Sequence, residues 1–200
     1  MATGKTEICN LALMRAGTGK SIADFDATQS QEAKLLRTIY PQALEEVLRA
    51  HPWRWARRRV VLADLGTPPS NWAFAYAYPA GCLQVLQLVL PGERWPRWDC
   101  QPAFEVGSNE DQTVIWTDLE QAECIFTAQV DDPARFDALF RSALVWKLTA
   151  EVARPLAAKP DAGNQAEQAY LRALSSAAAQ SLNEAHEGPE PDSEFLTVRQ

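Results

Sequence analysis

Leu44-Glu45-Glu46-Val47-Leu48-Arg49-Ala50-His51-Pro52-Trp53-Arg54-Trp55-Ala56-Arg57-Arg58-Arg59 is the stretch on which the fold turns. Before Pro52, the residues Ala33, Leu36, Ile39, Tyr40, Ala43, Leu44, Val47 and Leu48 fall on one helical stripe, so a helix over 28–51 is predicted. Thr28-Gln29-Ser30-Gln31 offers a capping-box spacing at its start, and Pro41 inside it predicts a kink. After Trp53 the period shortens. The β-branched pair Val60-Val61 marks a strand ending near Asp64. Helix thus gives way to β structure at a proline, two tryptophans and four arginines.

Working outward, 6–16 reads as a short first helix, stopped by Gly17 as a C-terminal glycine. Between 53 and 130 a β-rich insertion is expected, with strands at 82–90, 104–106, 113–116 and 123–130 separated by Pro, Gly, Asn and Asp. An antiparallel meander is the natural arrangement for such short strands. Asp132-Pro133 opens a helix over 133–154, which Pro155 should end or bend. A fourth helix spans 164–183, where alanines permit close packing. The fold class is therefore α+β, mainly α: about four helices, a small antiparallel β insertion, and one domain over 1–183. From Glu184 the composition turns to Glu, Pro, Gly, Ser and Asp, too polar to offset its own ordering entropy, so 184–200 is expected to be an extended arm. Its apolar tip contains Phe195, Leu196, Val198 and Arg199, and is either a frayed end or a segment that docks on a partner.

The chain has 200 residues, 46% of them hydrophobic. At this size about 70% of the unfolded surface is buried, enough for one core. Seven tryptophans suit cores and permanent interfaces alike. The net charge of -7 argues against a protein that coats nucleic acid with its whole surface. Residues 1–60 nevertheless carry ten Lys/Arg against six Asp/Glu, leaving nine against twenty in the remainder. Such polarity favours head-to-tail contact between copies, the alternative being an uneven solvated surface.

Motifs for chemistry are weak. Gly17-Thr18-Gly19-Lys20-Ser21 resembles the end of a phosphate-binding loop, but Met14 stands where a Walker loop needs its first glycine, and a helix rather than a strand precedes it. Gly4-Lys5-Thr6 fails in the same way. His51 and His186 are the only histidines, and His51 is expected to cap its helix rather than serve a nucleophile. Glu45 and Glu46, adjacent on a helix, point about 100° apart and do not face one substrate. Cys9, Cys82, Cys100 and Cys124 form no close pair of the kind zinc needs, and Cys9 and Cys82 read as small buried hydrophobes in a reducing compartment. No catalytic, metal or cofactor-binding residues are called. Neither a secretory leader nor a bilayer-spanning run is evident, so a soluble, unexported protein is expected.

The remaining functional concentration is Trp53, Arg54, Trp55, Arg57, Arg58 and Arg59. In a strand, Arg57 and Arg59 would share a face with both tryptophans while Arg54 and Arg58 point oppositely. Stacked guanidinium groups would then meet carboxylates of a neighbouring copy, or DNA phosphates. The bland alternative is a solvated edge strand protected by its charge.

Several pieces, in order, resemble the tail tubular protein A family, the head-to-tail adaptor or gatekeeper proteins of short-tailed bacteriophages. They are Cys9-Asn10-Leu11-Ala12-Leu13 with Arg15-Ala16-Gly17, Tyr40-Pro41-Gln42-Ala43-Leu44, Val47 through Ala56, Tyr76-Ala77-Tyr78-Pro79-Ala80 with Cys82-Leu83, and Asp132-Pro133 through Phe136-Asp137, Leu139-Phe140 and Ala150-Glu151-Val152-Ala153. The resemblance covers most of 6–183 and implies a helical bundle with a β insertion, assembled as a dodecameric ring in the virion tail after synthesis in the host cytoplasm. Such a ring joins the portal protein to the tail nozzle and surrounds the channel through which DNA leaves, without covalent chemistry or cofactor. The interface elements would be the arginine segment and the 195–199 tip. Two other classes compete: a small cytosolic enzyme with a convergent polar cleft, and a DNA-binding regulator using the arginine segment, which predicts salt-sensitive duplex binding.

Overall fold

The computed structural model describes residues 4–93, 101–109, 112–156 and 161–183. Four helices and two three-stranded antiparallel sheets give the expected α+β, mainly α architecture. The helices are α1 (Lys5–Arg15), α2 (Gln31–Arg49), α3 (Ala138–Leu156) and α4 (Ala162–Asn183). The strands are β1 (Arg57–Val61), β2 (Phe74–Ala77), β3 (Cys82–Val89), β4 (Phe104–Asn109), β5 (Gln112–Thr117) and β6 (Glu123–Ala128).

Helix α3 is the hub of the bundle, packing on α1, α2 and α4. Its buried residues, among them Phe140, Leu144, Leu148 and Val152 but also Val145, Thr149 and Ala153, occupy more than one face, as a helix with three helical neighbours requires. Against α4 the approach is close. A Cβ at Gly163 would lie 3.3 Å from Cγ of Arg154 and 3.8 Å from the Ala150 carbonyl, so a small residue is what the contact accepts.

Helix ends obey local chemistry, though not always at the expected residue. Gly17 adopts φ 71°, its N–H meets the Met14 carbonyl, and the Thr18 N–H meets that of Leu13, which is the Schellman closure of α1. At α2 the expected box starting at Thr28 does not form. Ser30 is the cap, accepting from the Ala33 N–H at 3.2 Å, while Thr28 Oγ1 accepts from the Asp24 N–H within the preceding loop. Pro41 is carried inside α2 and Pro155 inside α3, which runs on to Leu156 instead of stopping. The expected single helix from 133 is divided. Asp132 caps a 3-10 turn at Pro133–Arg135, and Asp137 then accepts from the N–H groups of Leu139 and Phe140 to start α3.

The β region is not a simple meander. The sheet orders are β1-β6-β3 and β2-β5-β4, so among the described strands β4 and β5 are the only sequence neighbours that pair. Strand β2 is not among the strands that the sequence pattern predicts; it pairs with β5, with Tyr76 opposite Ile115. The two sheets share an apolar cluster containing Tyr76 and Ile115 from one and Leu88, Cys124 and Phe126 from the other. Tyr76 also binds it to the β5–β6 turn, its hydroxyl donating to the Leu119 carbonyl at 2.9 Å. A second, larger cluster fills the helical bundle and takes in Trp53, Ala56 and Val130 where the chain enters and leaves the sheets. Cys9 is fully buried as expected, but among the described residues the other fully buried thiol is Cys124; Cys82 is only half-buried. Cys100 and the 184–200 arm lie outside the described residues.

Candidate functional site

The arginine segment does not begin as a strand. Arg54–Ala56 is a 3-10 turn, and strand alternation starts only at Arg57. The two tryptophans therefore do not share a strand face with the arginines. Trp53 is 1% exposed and belongs to the core, with its ring edge-on to Phe140 at 5.1 Å and to His51 at 5.0 Å. Trp55 is half-buried against Phe136 and Phe140. Trp53 is therefore withdrawn from any contact surface, whereas Trp55 keeps part of its surface in solvent, and among the described residues the cation–π contact that involves a tryptophan is elsewhere, Arg15 over Trp146 at 4.3 Å.

What Trp53 does instead is close α2. Its indole N–H donates to the Val47 carbonyl at 2.8 Å, satisfying one of the last-turn acceptors. That role was expected of His51, whose Nε2 is buried without a hydrogen-bond partner. Burial, then the charges of Arg57 and Arg54, press the imidazole below its ordinary value and favour the neutral form.

The four arginines have four different surroundings. Arg54 lies against the end of α4: its Nε donates to the Ser181 carbonyl at 3.0 Å and its backbone N–H to Ser181 Oγ at 3.3 Å. A cation there also complements the negative end of the helix dipole. Arg57 is half-buried, and its Nε has no partner; burial and then Arg54 lower its affinity for the proton. Arg59 spans the sheet, pairing through Nε with Glu123 on β6 and donating to the carbonyls of Glu93 and Leu90 beyond β3. Arg58 is exposed and makes no hydrogen bond or ion pair with a described residue. In the register Arg57 stands opposite Thr127 and Arg59 opposite Ile125, while Arg58 faces Phe126 across the ladder, so Arg58 is on the other face.

Strand β1 is an edge. It pairs with β6 on one side and with no described strand on the other, and along it Val60 and Val61 are 41% and 66% exposed. A strand edge presents unpaired backbone donors and acceptors, and here it also carries exposed apolar side chains and a free guanidinium. Phe195, Leu196, Val198 and Arg199 lie outside the described residues.

The remaining polar groups singled out in the sequence are committed to structure. Lys20 pairs with Glu32, and the 17–30 loop is tied to α1 by Asn10, which donates to the Ile22 carbonyl and accepts its N–H. Arg37 Nη1 donates to the carbonyls of Phe25 and Thr28 at 2.7 and 2.8 Å. Glu45 pairs with Arg49 and Glu46 with Lys147, in keeping with their divergence on the helix. No family model matches the chain, and no curated protein matches it either.

Proposed function

We propose that the chain is a structural head-to-tail adaptor of the tail tubular protein A type, forming a ring between portal protein and tail nozzle around the DNA channel of a bacteriophage virion. The ordered motifs quoted above motivate the family, and one structural observation carries the assembly reading: the outer edge of β1, which pairs with no described strand and has exposed Arg58, Val60 and Val61. The remainder of the chain, acidic by twenty to nine, offers carboxylates for a neighbour's Arg58. Contact between an edge and a different surface of the next copy is heterologous, and such contacts close into rings when the rotation permits. The role is mechanical and needs no catalytic residue or cofactor; DNA would be near the ring without sequence-specific contact.

Light scattering after size exclusion, with and without the portal protein, tests this. A ring alone, or a monomer that becomes a stoichiometric ring on the portal, is expected. A monomer indifferent to the portal overturns the proposal.

A further inference from the structure

Resting on the adaptor reading, we infer which surface the β1 edge meets: the outer edge of β4 in the next copy, with Arg58 of one subunit against Glu105 of its neighbour.

The sheets narrow the choice of edges. Strand β2 is covered along its outer side by 63–65, where the Leu65 N–H donates to the Ala75 carbonyl and the Ala77 N–H to the Ala63 carbonyl. Strand β3 lies against α2, and its Leu83 packs on the helical core. Strands β1 and β4 pair with β6 and β5 respectively, and neither has a described strand on its other side. Just past β1 the Leu62 N–H donates to the Ala122 carbonyl. By alternation Arg58 and Val60 turn their backbone groups to β6, and Arg57, Arg59 and Val61 turn theirs outward. Outward backbone donors and acceptors of this kind are a template for a further strand.

Charge decides between the possible matings. Strand β1 carries Arg57, Arg58 and Arg59 and no acid, whereas β4 carries Glu105 and no base. Two β1 edges would bring arginines together, and two β4 edges would bring glutamates together, so each edge disfavours its own kind. Joined to one another, the edges place opposite charges within reach, which selects this pairing over a two-fold dimer. Glu105 is exposed, and its Oε2 accepts from Trp72 Nε1 at 3.1 Å, which steadies the carboxylate at the surface. Apolar surface is matched as well. Val60 and Val61 on β1 and Val106 on β4 are all exposed, and strands of five and six residues are long enough to cover one another.

Position makes the pairing head-to-tail. From β1 the chain passes directly into the 63–65 segment beside β2, whereas β4 is the far strand of the β2-β5-β4 sheet. The two edges therefore lie on opposite flanks of the β region, one for each neighbour, as a heterologous ring requires.

Charge reversal in the full chain tests the contact, with light scattering on the portal protein as the readout and circular dichroism confirming folding. Arg58→Glu and Glu105→Arg should each lower the fraction in rings by about tenfold or more at low salt. The double variant should recover most of it. An equimolar mixture of the two single variants should recover too, because in an alternating ring every contact is either the native pair or its reversal. Glu105→Gln keeps an acceptor for Trp72 and should lower ring formation by about two- to fivefold, which separates loss of the charge from loss of that hydrogen bond. Single variants that assemble like the parent overturn the inference and leave the adaptor reading standing. Single variants that fail, with no recovery in the double variant or the mixture, overturn it as well, since the two positions would then serve different contacts. A parent that forms no ring with or without the portal overturns the adaptor reading itself, and the inference with it.

Discussion

Trp53 and Arg54, adjacent in the chain, close two different helices: the indole N–H of Trp53 meets the Val47 carbonyl of α2 at 2.8 Å, and Nε of Arg54 meets the Ser181 carbonyl of α4 at 3.0 Å. The point where helix gives way to sheet is therefore also the point where two helix C-termini are anchored. Trp53→Phe keeps most of the ring contact with Phe140 but leaves a buried carbonyl unsatisfied, and should cost about 1–3 kcal/mol. Trp53→Ala also opens a cavity and should cost about 3–5 kcal/mol. Arg54→Ala, at a more exposed site, should cost about 1 kcal/mol. Urea midpoints at constant slope measure all three; an unaltered midpoint for Trp53→Phe would remove the capping role.

The two ends of α1 make opposite predictions. Gly17 needs its positive φ for the Schellman closure, so Gly17→Ala should destabilise by about 1–2 kcal/mol although a Cβ there meets no atom. Gly4 is the N-cap at an ordinary φ of -88° and supplies no side-chain acceptor. Gly4→Ser should add one and stabilise by about 0.5–1 kcal/mol. Thermal unfolding of the two variants should bracket the parent, and a Gly4→Ser variant that melts lower would contradict this account of the cap.

Alkaline pH should weaken the fold through two thiols. Burial, opposed by Lys5, pushes Cys9 from its ordinary 9.0 to about 12, and burial with the charge of Cys82 raises Cys124 likewise to about 12. A folded value above the unfolded one means that the native state holds its proton while the unfolded chain gives it up. Stability from these groups is complete below pH 9 and declines from there toward pH 12. Cys124→Val should flatten the decline of melting temperature between about pH 8.5 and 10.5. The same burial should leave both thiols unreactive toward a disulfide reagent at neutral pH in the native protein and reactive in urea.

Much of this architecture is written locally. The stripe from Ala33 to Leu48 defines α2, and Gly17 and Asn183 bound helices near where spacing puts them. The errors fall where a local pattern has two readings or where a partner is distant. Trp53-Arg54-Trp55 alternates like a strand, yet both indoles are pulled inward by Phe136 and Phe140, more than eighty residues later, and the backbone takes a 3-10 turn to allow it. Phe74–Ala77 is short and alanine-rich, and only pairing with β5 across the intervening β3 and β4 makes it a strand. Asp132 and Asp137 are both good caps, and the sequence does not rank them. For the candidate site, the segment was legible but the division of labour within it was not, because side-chain partners such as Ser181 and Glu123 are set by tertiary contact.

That division separates stability from assembly at neighbouring positions. Arg59 is one-third exposed and holds Glu123, which is 15% exposed, together with two carbonyls near the end of β3. Arg59→Glu places like charges in contact and frees those acceptors, so a loss of about 1–3 kcal/mol is expected. Arg58 lies on the opposite face in water, and Arg58→Glu should change stability by no more than about 0.5 kcal/mol. If the β1 edge mates with the acidic surface of the next copy, Arg58→Glu should nevertheless lower ring formation on the portal, with the defect smaller at high salt. Thermal melts and light scattering on the same two variants separate the effects. Normal rings from a fully folded Arg58→Glu protein would take Arg58 out of the assembly contact and leave β1 as a charged edge turned to solvent.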